Sequence, residues 1–381
     1  MVAGPYGATL LGDFGADVVK VEPPGGEDSR WYGPKNDADS APFVGINRNK
    51  RSVEIDLHSP DGTLALEELV RWADVVIDNL RPTAKARLGI DFESLQTINS
   101  RVISVNVSAF GNTGPYGGRP GIDPVIQAIS GFMTVTGTNE SGPLKAGPPV
   151  ADAVASLLVA FGALTALWAR EQTGQGQAVE VALVDGLIHI QATYAGQHFL
   201  LGEQQPRTGN SSEWYAPYDT YRCRDNTLVH IACYNDKFFG NLCLGMEKPK
   251  LVGDPRFSNN DARLANRDEL DRIVGGFCSS QNRPDVLQRL QAADVIVSPV
   301  YDYSEALSDP QVLHNEMVVE VDHHAGPLKV TGVPVRLSDT PGRVRLPPPQ
   351  LGAHNLEVFK ELGLDSELIS RLVRTTGPPA T

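Results

Sequence analysis

A single carboxylate, Asp152, interrupts the most apolar segment of the sequence, KAGPPVADAVASLLVAFGALTALWAR at 145–170. A double proline precedes it and a long run without acids or bases follows, so the pattern predicts a helix that begins at Asp152. Aspartate is a preferred N-cap residue. The positive end of a helix also favours an ionised carboxylate that can act as a nucleophile. Residue type and spacing leave both roles open.

Basic residues gather at two places where an anionic ligand would bind. The segment NRNKRS, residues 47–52, lies at the start of a predicted strand. It is either a solvated strand entrance or a phosphate-binding cluster. The segment NLRPTAKARLG adds Arg81, Lys85 and Arg87 beyond the predicted carboxyl end of the next strand. Because ligands of parallel sheets bind beyond such strand ends, the two clusters together favour one anionic cofactor.

Two adjacent histidines, His323 and His324 in VDHHAG, superficially resemble part of a metal site. Neighbouring residues of a strand point to opposite faces. The segment is also predicted to form a hairpin turn, and no second cluster of aspartate and histidine accompanies it. The sequence therefore predicts no metal site. It also contains no G-x-S-x-G motif, which argues against a serine hydrolase.

Composition restricts the class of protein further. The 381 residues are 41% apolar and 21% charged, as in globular domains, and 46 acidic against 33 basic residues leave a net charge of −13. An acidic chain of this kind has no broad footprint for nucleic acid. The apolar run at 153–169 contains Ser156, Gly162 and Thr165, and the first residues lack a signal sequence. We therefore expect no membrane span and a cytoplasmic location.

The cysteines have neither a metal-binding nor a disulfide pattern. No C-x-x-C pair occurs, and the wide spacing fits neither a zinc site nor a disulfide framework. We expect reduced, buried thiols at four positions: Cys223, Cys233, Cys243 and Cys278.

Helix and strand patterns alternate through the first half of the chain. Strands are predicted at 17–22, 52–57, 74–78 and 101–108, with helices between them. Ser59 is predicted to cap one of these helices, with a proline at its first position. The alternation predicts an α/β fold, in which a large domain has a mostly parallel, Rossmann-like sheet covered by helices and a smaller domain is α+β.

The chain is predicted to contain two domains. The large domain comprises 1–203 and, after the small domain, a return linker and a C-terminal part at 300–381. A polar linker at 204–217 leads into the smaller α+β domain at 218–299. Two segments, YDTYRCRDNTLVHIACYND and VVEVDHHAGPLKVTGVPVRLS, are each predicted to form a hairpin.

Seven blocks of sequence occur in an order that resembles family III CoA-transferases, the relatives of formyl-CoA:oxalate and carnitine CoA-transferases. The blocks are GATLLGDFGADVVKVEPPGG, NRNKRSVEIDL, ADVVIDNLRPTAKARLGID, SAFGNTGPYGGRPGID, QAISGFMTVTG, PPVAD and REQTGQGQAVEVALVD. The resemblance covers essentially the whole chain. It implies the α/β fold predicted above and an interlocked homodimer.

The resemblance also implies a chemical role for Asp152, which matches the family's aspartate nucleophile. Its carboxylate would form a mixed anhydride and then an aspartyl-CoA thioester while CoA moves from an acyl-CoA to a free carboxylic acid. CoA would be a substrate, with no tightly bound cofactor and no metal. Arg87 matches an arginine directed at the CoA phosphates. The positions that match CoA-contacting residues are Ile55, His58, Asn79, Leu80, Ala84 and Arg87.

The chain departs from the family pattern at three places. Pro23 follows KVE where arginine is frequent, and we expect Arg30 to replace that contact. His58 stands where lysine is frequent, which weakens the positive charge at neutral pH. Family members also begin with a strand before AGP, which here follows directly on the second residue. We expect a misplaced start or a truncation, and unpaired sheet backbone as its result.

Two alternative functions to CoA transfer are considered. An α-methylacyl-CoA racemase needs an Asp/His pair and a glutamate, whereas this chain has Ile122 in place of the histidine and Asn235 at the glutamate position. A non-catalytic CoA-binding remnant is the other alternative. Likeness to the dicarboxylate branch of the family favours succinyl or glutaryl as the acyl group.

Overall fold

A computed structural model of the chain describes residues 2–36 and 39–374. Their contacts divide them into two units. The first consists of 2–132, 145–201 and 311–374, and the second of 133–144 and 202–310. The domain boundaries at 203/204 and 299/300 remain a proposal, because contacts alone do not show which part of a chain folds independently.

Helices and strands alternate along the first half of the chain, as the sequence predicts. The strands are β1 Val18–Glu22, β2 Lys50–Glu54, β3 Val75–Asp78, β4 Ile103–Ser108, β5 Gly137–Thr138, β6 Gly142–Pro143, β7 Ala178–Ala182, β8 Tyr218–Arg222, β9 Leu228–Ala232, β10 Ile296–Pro299, β11 Val318–His323 and β12 Gly326–Thr331. The helices are α1 Ala3–Asp13, α2 Ala41–Ile46, α3 Pro60–Trp72, α4 Pro82–Leu88, α5 Phe92–Ile98, α6 Asp123–Ile129, α7 Phe132–Val135, α8 Val150–Thr173, α9 Leu183–His189, α10 Ala192–Leu201, α11 Asp236–Gly245, α12 Asn260–Ala265, α13 Arg267–Ser279, α14 Arg283–Ala292, α15 Tyr303–Ser308, α16 Pro310–His314, α17 Asn355–Glu361 and α18 Ser366–Arg374.

Parallel sheets form the centre of the first unit. Strands β3, β4 and β7 pair in parallel in the order β3-β4-β7, with Val105 opposite Val179. Strands β1 and β2 form a separate parallel pair. The predicted parallel α/β architecture is therefore confirmed, whereas the expectation of one sheet is wrong, since no pairing within the described residues joins β2 or β1 to β3.

Local signals explain several helix ends. Ser59 caps α3 as predicted, because its hydroxyl accepts a hydrogen bond from the N–H of Gly62 and Pro60 occupies the first helical position. The carboxylate of Asp91 caps α5 by accepting a hydrogen bond from the N–H of Ser94.

Helix α8 packs one face into the core of the first unit. Small residues line that face and are buried against α1, β4 and β7: Ala151, Ala155, Val159, Ala163 and Ala166. The approach of α1 is very close, since a Cβ on Gly7 would lie 2.5 Å from Cγ1 of Val159. Glycine is therefore required at this crossing.

By length and composition α8 is also able to span a membrane, although a third of its apolar window is buried in the unit.

The basic segment NRNKRS is structural. Arg48 and Asp13 form an ion pair at 2.7 Å with side chains that are each 1% exposed. The ammonium group of Lys50 donates hydrogen bonds to the carbonyls of Pro5 and Ile46, and the guanidinium of Arg51 pairs with Asp17, Glu357 and Glu361. Both sequence interpretations, solvated entrance and phosphate site, are wrong here, because partners distant in sequence occupy every cation.

The second unit contains an antiparallel sheet in the order β10-β9-β8. The predicted hairpin at 218–232 is confirmed as β8 and β9. The sheet packs on α11, α13 and α14 around a buried cluster that includes Val229, Ile231 and Phe257. All four cysteines belong to this cluster as free thiols, as predicted. In the first unit, β11 and β12 form the second predicted hairpin.

Candidate active site

A cleft of about 410 Å³ opens in the first unit beyond the carboxyl ends of β3, β4 and β7. Asn79 follows β3, Ala109 follows β4 and Leu183 follows β7, and all three line the cleft. The first residue of α1, Ala3, and the first turn of α8, through Asp152, also line it. Parallel sheets bind their ligands at this location, so the cleft is the candidate active site.

The segment 111–121, which contains five glycines and two prolines, forms a loop along one wall of the cleft. The backbone N–H of Asn112 donates to the Glu180 carboxylate, which ties the loop to β7. At its other end, a Cβ on Gly121 would lie 2.5 Å from Cβ of Ala109. Only glycine lets the loop approach the end of β4 so closely.

Asp152 is the third residue of α8. The helix begins at Val150 with Pro149 at the N-cap position, so the prediction that Asp152 itself starts and caps the helix is wrong. Proline needs no N–H partner and has a backbone angle suited to a helix entrance, which explains the earlier start. The Asp152 side chain is partly buried and lines the cleft.

Asp123, the first residue of α6, takes the capping role instead. Its Oδ2 accepts hydrogen bonds from the backbone N–H groups of Ala151, at 2.7 Å, and Asp152, at 3.2 Å. Its Oδ1 accepts from the side-chain amide of Gln127, whose Oε1 accepts from the N–H of Ala146 at 2.8 Å. These buried groups fix the segment 146–152 on α6.

The roles of Asp123 and Gln127 were not predicted from the sequence. The sequence does contain a helix-start signal at this place. Asp123 and Pro124 are followed by Gln127 at the start of an otherwise apolar helix. Their partners are distant in sequence, since Ala151 lies 28 residues from Asp123 and Ala146 lies 19 residues from Gln127.

Burial raises the pKa of the Asp152 carboxyl, and the carboxylate of Asp123 acts in the same direction. From the sequence, the free N–H groups at the start of the helix were predicted to favour ionisation of Asp152. That expectation fails because Asp123 accepts from two of those groups. The resulting Asp152 is a more basic carboxylate than one in water, and hence a better nucleophile once ionised.

Two arginines line the cleft, Arg81 at the N-cap of α4 and Arg119 in the glycine-rich loop. Arg119 stacks on Tyr116, with its guanidinium carbon 4.5 Å from the ring centroid. Neither arginine forms an ion pair among the described residues. Lys85, by contrast, is buried and lies 3.2 Å from the carboxylate of Asp78. The second basic cluster is thus divided between a structural lysine and exposed arginines.

The structure brings only some predicted site residues together. Asn79, Leu80 and Asp152 line one cleft. The described lining does not include the other four, which lie as follows: Ile55, 1% exposed, in the core just after β2; His58, exposed, before α3; Ala84, half-buried, on α4; and Arg87, exposed, near the end of α4.

Arg30 does not serve as the expected replacement at Pro23. Its guanidinium donates to both carboxylate oxygens of Glu22, at 2.7 and 2.8 Å, and to the carbonyl of Pro349. It also stacks on Phe43, 3.7 Å from the ring centroid. These contacts occupy the Nε and Nη2 donors and hold the guanidinium against Glu22 and Phe43.

The adjacent histidines do not point to opposite faces. Only His323 belongs to β11, and His324 stands in the turn that follows, so strand alternation does not apply to it. The two rings lie 4.0 Å apart, and Asp39 approaches both of them. The predicted hairpin turn is confirmed, whereas the prediction that strand alternation separates the two side chains is wrong.

Comparison with known proteins gives one consistent result. The family model for CoA-transferase family III matches residues 1–355. Succinyl-CoA–D-citramalate CoA-transferase of Chloroflexus aurantiacus is 33% identical over 375 residues, which covers 97% of this chain and 93% of that protein. Succinate–glutarate CoA-transferase of Agrobacterium fabrum is 34% identical over 372 residues, covering 95% and 92%. The crystal structure of a CAIB/BAIF family protein from Brucella suis superposes with a TM-score of 0.87 at 34% identity, covering 95% and 96% of the two chains.

Proposed function

This chain belongs to CoA-transferase family III, and we propose that it moves CoA from an acyl-CoA to a free carboxylic acid through covalent intermediates on Asp152. The observation that carries the proposal is the position of Asp152, a partly buried carboxylate with a raised pKa, in a cleft beyond three parallel strands. CoA is a substrate, and no tightly bound cofactor is required.

In the first half-reaction, a carboxylate oxygen of Asp152 attacks the thioester carbonyl of the donor. The C–S bond breaks, CoA leaves as a thiolate, and an aspartyl–acyl anhydride remains. The thiolate attacks the aspartyl carbonyl of the anhydride, which releases the donor acid as a carboxylate and leaves an aspartyl-CoA thioester. The acceptor carboxylate then repeats these steps in reverse order, so new acyl-CoA and free Asp152 form without net proton transfer.

Each step passes through a tetrahedral oxyanion that needs hydrogen-bond donors. The N–H groups of Ala151 and Asp152 already donate to Asp123. We therefore assign the donors to the first turn of α1, whose residue Ala3 faces the same cleft and whose leading N–H groups have no partner within the helix.

Asp123 acts as a positioning residue in this scheme. It fixes the main chain of Asp152, and its charge opposes ionisation of the nucleophile. Ionised Asp152 is consequently basic enough to attack a thioester, yet its backbone stays in one position while the side chain carries successive acyl groups.

We place the phosphates of CoA along α4. Arg81 at its start lines the cleft, and Arg87 lies near its end on the exposed surface. Asn79 and Leu80 contact the thiol end in this arrangement. His58 and Ala84 contribute backbone or surface contacts to the nucleotide end, as the family resemblance implies, whereas Ile55 supports that end from the core.

The proposed acyl group is a short dicarboxylate such as succinyl or glutaryl. The names of two relatives whose similarity covers most of this chain contain succinyl-CoA, succinate and glutarate. Arg119, which forms no ion pair among the described residues and lines the cleft, is a suitable partner for the second carboxylate of such an acid.

The test is mass spectrometry of product thioesters after incubation of succinyl-CoA with a panel of carboxylic acids. Wild-type enzyme should form new thioesters, and Asp152→Ala should form none. Glu171→Gln, an exposed carboxylate at the far end of α8, is the matched control and should retain the wild-type rate. Full exchange by Asp152→Ala would exclude the covalent mechanism.

The described residues give no support to a racemase. Ile122 lines the cleft at the position of the racemase histidine, and an aliphatic side chain cannot carry a proton. Asn235 uses its side chain to cap α11 by accepting from the N–H of Phe238. A catalytically dead remnant is excluded once turnover by the wild-type protein is measured.

We also propose that the enzyme is a cytoplasmic homodimer, interlocked as in the family. The outward face of α8 carries four exposed apolar side chains at helical spacing: Leu157, Phe161, Leu164 and Trp168. An exposed stripe of this size favours burial against another protein surface, and free thiols suit a reducing compartment. Light scattering after size-exclusion chromatography tests the dimer, which Trp168→Glu should weaken; a monomeric wild-type protein would contradict it.

A further inference from the structure

Two histidines and one aspartate converge at a place that the lining of the cleft does not include. Nε2 of His323 lies 3.3 Å from Oδ2 of Asp39, and Nε2 of His324 lies 3.5 Å from the same oxygen. One ligand atom from each residue falls within 4.8 Å of the other two. The transferase reaction uses none of these residues.

The two separations match the edges of a metal tetrahedron. Zinc binds imidazole nitrogen and carboxylate oxygen at about 2.0–2.2 Å, and tetrahedral angles then hold neighbouring ligand atoms roughly 3.3–3.6 Å apart. A charge-assisted hydrogen bond between the same groups would be shorter, at about 2.7–2.9 Å. Two of the three separations therefore match those of ligands arranged around an ion.

Two of these atoms also lack any other partner. Oδ2 of Asp39 and Nε2 of His323 are buried, and neither forms a hydrogen bond within the described residues. The side chain of His323 is 4% exposed, so water does not readily satisfy it. Burying unpaired polar atoms is costly, and one cation would satisfy both. The more exposed His324 marks the side from which an ion and its remaining ligand would enter.

We propose that Asp39, His323 and His324 form a binding site for a divalent transition metal of the zinc class, with one coordination position left for water. Imidazole and carboxylate ligands in tetrahedral spacing favour zinc or cobalt over magnesium and calcium, which prefer six or more oxygen ligands.

The metal would connect two segments of the first unit. Asp39 directly precedes Ser40, the N-cap of α2, and its N–H donates to Oδ1 of Asn36 at 2.8 Å. His324 occupies the two-residue turn between β11 and β12. Nη1 of Arg48 already joins these regions by donating to the hydroxyl of Thr331. The ion adds a second connection at the other end of the hairpin.

The experiment uses the full chain without a histidine tag. Metal content is measured by inductively coupled plasma mass spectrometry after gel filtration, and zinc is titrated into chelator-treated protein by calorimetry. We expect about one zinc ion per chain and a higher unfolding temperature with zinc than with chelator. His323→Gln and Asp39→Asn should each weaken binding at least roughly tenfold. His314→Gln changes an exposed histidine outside the cluster and is the matched control.

Absence of zinc binding by the wild-type protein would overturn the proposal, as would equal binding by His323→Gln and His314→Gln. X-ray absorption of zinc-loaded protein should show two imidazole nitrogens and light oxygen ligands, and a sulfur shell would contradict the assignment. CoA exchange by His323→Gln should equal that of wild type, which verifies folding and keeps this test separate from that of Asp152.

Discussion

Oδ2 of Asp123 accepts a hydrogen bond from the backbone N–H of Asp152 at 3.2 Å, so the main chain of the proposed nucleophile is held by a second acid. A helix N-terminus is otherwise a binding place for anions. Here the protein's own carboxylate occupies it. The substrate carboxylates must therefore bind elsewhere, and the arginines of the cleft are the available cations.

Replacing Asp123 with asparagine should shift the acidic side of the pH dependence of kcat/KM to lower pH. Transfer needs ionised Asp152 and is lost as the pH falls through its pKa, which burial and then the charge of Asp123 raise. Removing that charge lowers the pKa, so activity persists at lower pH. The rate at neutral pH should stay within about tenfold, because asparagine retains an acceptor oxygen for the cap.

The pH profile separates a lower pKa of Asp152 from simple destabilisation of the protein. Destabilisation would reduce activity without shifting the acidic side of the profile. Glu171→Gln removes one carboxylate from the exposed far end of α8 and should leave the profile unchanged. An acidic side that stays in place, or that moves to higher pH in Asp123→Asn, would show that the charge of Asp123 does not control Asp152.

An aspartyl-CoA thioester predicts a trappable intermediate. Hydroxylamine added during turnover should convert Asp152 to a hydroxamate, and peptide mass spectrometry should locate that change in the segment 145–170. Activity should fall in parallel, by roughly 10³-fold or more when modification is complete, the scale expected when a covalent nucleophile is lost. Without acyl-CoA no modification should occur, and a hydroxamate on another residue would refute the assignment.

The Asp152→Asn variant should be more stable than wild type at neutral pH. The folded-state pKa of Asp152 is raised, so the protonated carboxyl stabilises the fold at low pH, and this contribution is lost as the pH rises through the folded pKa. A neutral amide avoids that loss. We expect the unfolding temperature to rise by about 1–3 °C by calorimetry, with a gain that shrinks as pH falls. Lower stability at neutral pH would contradict this account.

Arg48→Met should reduce the free energy of unfolding by about 3–5 kcal/mol, because it leaves the Asp13 carboxylate buried without its cation. Denaturant titration monitored by circular dichroism measures the loss. Arg87→Met removes an exposed arginine without an ion pair among the described residues and should change stability by about 0.5 kcal/mol or less. Equal effects of the two changes would mean that the buried pair has no special role.

Arg81→Gln should raise the KM for acyl-CoA roughly tenfold through loss of one charge-assisted hydrogen bond, with little change in stability. The difference from wild type should shrink at high ionic strength, because salt screens the exposed arginine. Arg71→Gln, an exposed arginine on α3 paired with Glu67 and Glu68, is the control. An unchanged KM in Arg81→Gln would move the phosphate site away from α4.

Local pattern predicts local structure in this chain. Proline and serine at the start of α3, and the valine-rich strands, determine their own conformation, so these elements were predicted within a few residues. Tertiary partners were not predictable in the same way. Arg51 pairs with Glu357 and Glu361, about 300 residues later in the chain, and its neighbours in sequence give no indication of them.

The candidate site shows the same division. Asp152 and the glycine-rich loop are recognisable from residue type and order, whereas Asp123 acquires its role only when α6 meets α8. Strand alternation did not predict that the two histidines lie side by side, because His324 leaves the strand for the turn, and Asp39 comes from a segment far away in sequence.

The crossing of α1 and α8 has a consequence for how new substrate ranges arise. Gly7 and Val159 are not among the described residues that line the cleft, yet their close approach sets the spacing of α1 and α8, and the starts of both helices border the cleft. Selection for bulkier acceptor acids therefore acts on interior packing as well as on the cleft wall. Laboratory evolution that randomises only the residues lining the cleft would leave this determinant of substrate size unsampled.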